Sequence, residues 1–271
     1  MSTEREKPIG VFDSGIGGLT VVRELFRELP YERIIYFGDT ARLPYGSKSK
    51  GTVVRFSVQN VTFLLEHQVK MVVVACNTSS AQALEELIRR FSIPFVGVIV
   101  PGAQAAAQAT RNDRIGVIGT PGTITSGAYE RAIREVRPKA LVYGQACPLF
   151  VPLAEEGWDD GPVTEMVAKK YLRPLQESGV DSLVLGCTHY PVLAGTIQRV
   201  MGNGVQLVDS ATETARATRR LLEQRDLVHP GTEKPRHGFY VSDRPLKFSE
   251  VAERFLGEPL ETCLTVSVDG L

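Results

Sequence analysis

Two cysteines stand in matching settings. Val72-Val73-Val74-Ala75-Cys76-Asn77-Thr78 and Leu183-Val184-Leu185-Gly186-Cys187-Thr188-His189 each run an apolar stretch into a cysteine, then into small polar residues and a helix-like segment. A sulfur between a strand and a helix start lies where backbone N–H groups and the helix dipole favour an anion. That setting is expected to lower a thiol pKa from its ordinary value of about 8.5. Two such thiols facing each other across a cleft could take a proton from one side of a carbon and return one to the other. Cys147 and Cys263 lie in apolar runs without a polar partner motif and read as small buried hydrophobes. No C-x-x-C occurs, and the scattered cysteines and histidines lack ligand spacing, so no metal site is expected.

Other residues could join this chemistry. Asp13-Ser14-Gly15-Ile16-Gly17-Gly18 follows a strand-like run and opens a helix. It is neither G-x-G-x-x-G nor a P-loop, so it reads either as a loop that lets backbone approach a ligand or as a plain helix cap. His189 could share a proton with Cys187 or face solvent at a helix start. Glu155 could lend a carboxylate to the cleft or belong to an exposed turn. Asp39 and Thr120 fall at the carboxyl ends of strands, where open α/β sheets bind ligands. Tyr45-Gly46 lies in the polar loop after Asp39, and composition gives that loop no role. His67, His229 and His237 are expected to be solvated.

The elements that must position these residues alternate regularly. Strand-like runs begin at Pro8, Arg33, Met71 and Phe95, with helix-length amphipathic stretches between them, including one over 80–91. The strands are continuous and Val/Ile-rich, as expected when helices cover both faces of a parallel sheet. The pattern then restarts, with strands from Arg114, Lys139, Ser182 and Val205 and helices near 125–136, 162–177 and 192–201. Gly10-Val11-Phe12-Asp13-Ser14 aligns with Gly116-Val117-Ile118-Gly119-Thr120, and the cysteine segments align at nearly the same spacing, which points to a duplication. The expectation is an α/β protein of two similar parallel-sheet domains related by pseudo-symmetry, with the active site in the cleft between them. The first domain would comprise 1–98 and a returning 210–271, the second 99–209. Lys+Arg and Asp+Glu both count 31 in 271 residues, which argues against a nucleic-acid or polybasic membrane surface. No run approaches the roughly 18 apolar residues that cross a bilayer. The polar N-terminus and four scattered cysteines lead us to expect a cytoplasmic protein.

Taken together, Asp-Ser-Gly-Ile-Gly-Gly at 13–18, Leu-Pro-Tyr-Gly at 43–46, Ala-Cys-Asn-Thr at 75–78 and Gly-Cys-Thr-His-Tyr-Pro at 186–191 closely resemble the glutamate racemases of the aspartate/glutamate racemase family. The resemblance runs from Ile9 to the helix after Asp209 and is loose past Arg225. It implies interconversion of L- and D-glutamate without a cofactor, the D form going to peptidoglycan. It implies that Cys76 and Cys187 are the acid/base pair, assisted by Asp13, Glu155 and His189. It also implies substrate contacts from Asp13-Ser14, Tyr45-Gly46, Asn77-Thr78, Thr120 and Thr188-His189, and less firmly from Asp39. By their place in the sequence, Asp13 would attend Cys76 and His189 would attend Cys187. Substrate carbon would sit about 3–3.5 Å from each sulfur, so the sulfurs would lie roughly 7 Å apart. The rival readings are a two-cysteine isomerase acting on aspartate, hydantoins or maleate, and a non-catalytic glutamate-binding protein. A homodimer is expected from symmetry.

Overall fold

The computed structural model describes residues 3–244, 248–260 and 262–268. Strands β1 (Ile9–Asp13), β2 (Ile34–Gly38), β3 (Met71–Val74) and β4 (Phe95–Gly97) alternate with helices α1 (Leu19–Glu28), α2 (Lys50–Glu66), α3 (Asn77–Gln82) and α4 (Leu84–Arg90). Helix α5 (Ile99–Ala109) leads into a second set. It contains β5 (Arg114–Gly119), α6 (Pro121–Thr125), α7 (Ala128–Val136), β6 (Leu141–Ala146), α8 (Phe150–Glu155), α9 (Pro162–Glu177), β7 (Ser182–Gly186), α10 (Ala194–Met201) and β8 (Gln206–Asp209). Helix α11 (Ser210–Gln224) then returns along α1 and α5. After it come β9 (Gly238–Val241), α12 (Phe248–Leu256) and β10 (Leu264–Thr265).

All pairings in the two sheets are parallel. The first sheet runs β10-β9-β2-β1-β3-β4 and the second β6-β5-β7-β8, so the order of the first four strands recurs in the second four. Register carries the duplication further. Phe12 of β1 pairs with Val74 of β3, and Ile118 of β5 pairs with Leu185 of β7. These are the residues that the sequence alignment equates, so Cys76 and Cys187 emerge two residues beyond equivalent rungs. Strands β1, β2, β3 and β7 are buried along their whole length, which explains their unbroken apolar sequences. The edge strand β6 is half-exposed, and β8, β9 and β10 are likewise only partly covered or exposed.

Beyond Gln224 the chain adds β9 to β2 and β10 to β9, extending the first sheet. A buried ion pair fastens this return. Lys70 Nζ lies 2.6 Å from Glu32 Oε2 and donates to the carbonyls of Arg5 (2.7 Å) and Leu227 (2.8 Å). Glu32 accepts in turn from the His229 N–H.

The elements depart from sequence expectation in several places. The helix expected over 80–91 starts earlier, at Asn77, and breaks at Ala83 into α3 and α4. The helix near 125 is split because Gly127 adopts a left-handed φ of 64°, which separates α6 from α7. Pro191 tightens the start of the helix expected at 192 into a 3-10 turn, Tyr190–Leu193. His67 and His237 are not solvated. His237 stacks on Phe26 with ring centroids 4.1 Å apart and accepts from the Ile34 N–H, and His67 packs on Phe63 and Tyr240. Burial pushes His237 down to about 4, so it packs as a neutral ring. His229 is half-buried, and its Nδ1 accepts from the Gly231 N–H.

Candidate active site

A cavity opens beyond the carboxyl ends of β1, β3, β5 and β7, where the two sheets face each other. Cys76 and Cys187 both line it. Its free space is about 40 Å³, room for about three waters if each needs about 10–15 Å³. The first sheet contributes Ser14, Gly15, the loop 43–46 and Cys76-Asn77-Thr78. The second contributes Thr120, Val151, Glu155 and Cys187-Thr188-His189.

The two thiols are positioned differently. Cys76 leaves β3 and caps α3, its sulfur accepting from the Ser79 N–H at 3.4 Å. Cys187 leaves β7 into the 3-10 turn rather than an α-helix, and its sulfur lies 3.8 Å from His189 Nδ1. The expectation that a helix start lowers both thiols fails for Cys76. Burial, and then the Asp13 carboxylate, push its thiol up to about 11, outweighing the bonds from Ser79 and Ser14. Cys76 is only 5% exposed, and no cation intervenes to offset its desolvation.

A cation does intervene beside Cys187. His189 is buried, and burial alone would depress its imidazole. Hydrogen bonds and charge from Cys187 and Glu155 outweigh that and hold it above the ordinary imidazole range. Glu155 Oε1 lies 3.0 Å from His189 Nε2, so Nδ1 is left to face the sulfur and the Thr188 hydroxyl at 3.4 Å. Protonated His189 thus places positive charge against one thiol.

Asp13 serves the other side. It is 0% exposed and lies beneath the cavity floor rather than on it. Its Oδ2 accepts from the Gly15 N–H at 3.1 Å, while its Oδ1 has no partner. Burial pushes its carboxyl up, opposed by the charge of His189 and the N–H groups of Gly18, Gly15 and Ser14. Asp39 also lies outside the cavity. It accepts from the hydroxyl of Tyr45, from Arg42 at 2.7 Å and from Ser242 at 2.9 Å, so it holds the loop that carries Tyr45.

Polar donors stand ready on the walls. The Asn77 amide nitrogen is buried without a partner, while its Oδ1 accepts from the Tyr129 hydroxyl at 2.7 Å. The hydroxyls of Thr78, Thr120 and Thr123 form a triangle with sides of 2.9, 3.3 and 3.1 Å across the two sheets. Gly46 is required there, since a Cβ on it would lie 2.5 Å from Thr120 Cβ.

Every site residue singled out from sequence except Asp13 and Asp39 therefore lines one cavity: Ser14, Tyr45, Gly46, Cys76, Asn77, Thr78, Thr120, Glu155, Cys187, Thr188 and His189. Sequence reasoning missed Gly15, Leu43, Pro44 and Val151 on the walls, and Tyr129 and Thr123 behind them. The first three lie inside motifs already noted. Val151 and Tyr129 carry no signal of their own, because a lone valine or tyrosine in a helical run reads as core. Among the described residues, no three His, Cys, Asp or Glu side chains gather as a metal site would need. No described helix is long and apolar enough to cross a membrane.

The geometry has counterparts. Residues 9–218 match the family described as Asp/Glu/Hydantoin racemase. A glutamate racemase of Geobacter metallireducens is 54% identical over 263 residues, covering 97% of each chain. The crystal structure of a glutamate racemase from Francisella tularensis in complex with D-glutamate superposes with a TM-score of 0.92 at 41% identity, covering 98% of this chain and 100% of that one. A glutamate racemase from Thermus thermophilus, in complex with β-chloro-D-alanine, gives a TM-score of 0.89 at 45% identity, covering 99% and 100%.

Proposed function

Because the chain belongs to the Asp/Glu/Hydantoin racemase family, we infer that its cavity racemises glutamate, with Cys76 and Cys187 as opposed acid and base. The observation that carries this reading is that both sulfurs, launched from equivalent rungs of the two sheets, line one small cavity.

The reaction breaks a Cα–H bond next to a carboxylate, a poor electron sink. Each step follows from residues present. The Cys187 thiolate, facing protonated His189, takes the Cα proton from one side. The electron pair left on carbon delocalises into the α-carboxylate. Cys76, held as a thiol by burial and by Asp13, donates its proton to the opposite face. The product leaves with inverted configuration, and the two sulfurs have exchanged protonation states. The reverse reaction starts from that swapped state. Placement of carbon between the sulfurs could supply about 7–11 kcal/mol of the barrier. The unpartnered Asn77 amide nitrogen, the Ser14, Thr78, Thr120 and Thr188 hydroxyls and the backbone at Tyr45-Gly46 hold the carboxylates. Donors fixed there stabilise the charge that grows on the α-carboxylate.

Residues 1–98 with 210–271, and residues 99–209, act as the two closing halves. The reading extends to supply of D-glutamate for peptidoglycan in the cytoplasm, by a homodimer. Free cysteines fit a reducing compartment, since none of Cys76, Cys147, Cys187 and Cys263 is bridged.

The test is direct. The enantiomers are equal in energy, so L-glutamate with purified protein should lose its optical rotation entirely. In heavy water the newly formed D-glutamate should carry deuterium at Cα. Cys76→Ala and Cys187→Ala should each lower turnover by about 10³-fold or more, as loss of an acid–base partner does at the upper end of its usual range, with unchanged circular dichroism. Near-normal turnover in either variant ends the two-thiol mechanism.

A further inference from the structure

Resting on that reading, we propose that Tyr129 is a positioning residue that locks the Asn77 amide. Asn77 directly follows Cys76 on the first sheet, and Gly186 directly precedes Cys187 on the second. Tyr129, on α7, reaches both. Its hydroxyl donates to Asn77 Oδ1 at 2.7 Å. Its ring lies against Gly186, where an added Cβ would come 3.1 Å from Cε2. On another side, a Cβ on Gly102 would come 3.3 Å from the same phenol. Two glycines thus make room for one ring, which is 3% exposed.

The direction of the hydrogen bond matters. Burial pushes the phenol well up, and a hydrogen bond from Ser210 opposes this without reversing it, so Tyr129 keeps its proton and can donate. The phenol proton goes to Asn77. Asn77 therefore presents its carbonyl to Tyr129 and its amide nitrogen to the cavity. That nitrogen is buried and has no partner. A buried donor without an acceptor is costly, and the acceptor that relieves it is a carboxylate oxygen of the substrate. Without the Tyr129 hydroxyl the amide is free to turn its oxygen toward that carboxylate, which would repel it.

Tyr129→Phe keeps the ring and removes only the hydroxyl. The expected result is a rise in KM of about tenfold for both enantiomers, the scale of one hydrogen bond, with kcat changed by less than about threefold and an unaltered thermal midpoint. Asn77→Ala should raise KM, and adding Tyr129→Phe to it should raise KM no further, because the phenol acts through that amide. An unchanged KM in Tyr129→Phe, or additive effects in the double variant, overturns the proposal. A second readout does not depend on turnover. The chain has four asparagines, at 60, 77, 112 and 203. With 15N-asparagine labelling, the Asn77 side-chain NH2 signals, assigned by their loss in Asn77→Ala, should shift or broaden in Tyr129→Phe. Signals that stay in place overturn the lock. If the wild type fails to racemise glutamate while those signals do move, the functional reading falls and the lock stands.

Discussion

Asp13, Cys76, Cys187, His189 and Glu155 form one buried charge system in which no member can be assigned alone. Burial works against ionisation of Asp13, Cys76 and His189, and the arrangement relieves it on the His189 side. His189 gains from Cys187 and Glu155 and stays protonated, whereas Cys76 faces Asp13 and stays neutral. The chain thus separates acid from base by environment, using two identical side chains. A stability signature follows. The folded pKa of His189 lies above its ordinary value of 6.5. Its stabilising contribution is therefore fully present below about pH 6.5 and is lost as pH rises through the folded value into the alkaline range. His189→Gln should cost about 1–3 kcal/mol at pH 6, and the gap to wild type should narrow steadily toward pH 10. Urea titrations at several pH values measure it, and a gap that widens with pH would contradict a charged imidazole. The residue types at this site are legible in the sequence, and so is the Cys187–His189 neighbourhood, because both lie on one short segment. The upward shift of Cys76 is not, since it depends on a carboxylate brought in from β1 and on the depth of burial.

At the level of elements, the glycines of the loop between β1 and α1 carry no side chains, yet they set the fit. A Cβ on Gly17 would fall 2.3 Å from Thr188 Oγ1 and 2.5 Å from His189 Nδ1. A Cβ on Gly18 would fall 2.5 Å from Asp13 Cβ. The loop is therefore smooth so that the turn after β7 can dock against it, and Thr20 Oγ1 completes the contact by donating to Thr188 O at 3.1 Å. Gly17→Ala should force His189 and Thr188 outward. We expect a stability loss of about 1–3 kcal/mol and a fall in kcat/KM on the order of 100-fold, as misplacement by an ångström brings. Thermal melts and polarimetric progress curves check both, and wild-type kinetics in this variant would show that the docking carries no catalytic weight. Strands β1, β3, β5 and β7 are legible because burial on both faces leaves them continuous apolar runs. The break at Ala83 and helix α8 are not, since tertiary contacts rather than local periodicity decide them. Of the loop's two sequence readings, ligand turn or helix cap, the structure does not hold the cap: α1 begins after Gly18 with no side-chain cap, and Asp13 accepts from the Gly15 N–H within the loop.

Across the whole molecule, duplication supplies two equivalent thiols, and the joint between the copies decides whether they meet one carbon. Polar contacts cross the joint beside the cavity: Thr78 to Thr120 at 2.9 Å, Gln82 Nε2 to Gly122 O at 2.9 Å, Tyr129 to Asn77 at 2.7 Å and Thr20 to Thr188 O at 3.1 Å. The cavity beside them has free space of about 40 Å³. An amino acid with two carboxylates needs the joint to part before it can enter and to close again before proton transfer, when water must be excluded. Substrate should therefore act as a clasp across the joint. At about 100 times its Kd, glutamate should raise global stability by about 2.7 kcal/mol. Hydrogen exchange should slow most at residues 77–80 and 120–125, which face each other across the cleft, and least in β1 and β3, which are already buried. D- and L-glutamate should protect the same segments, because the site must hold both. Protection confined to one sheet, or absent at both segments, would mean that the halves do not close on the substrate together, and the two sulfurs would then have no means of sharing one carbon.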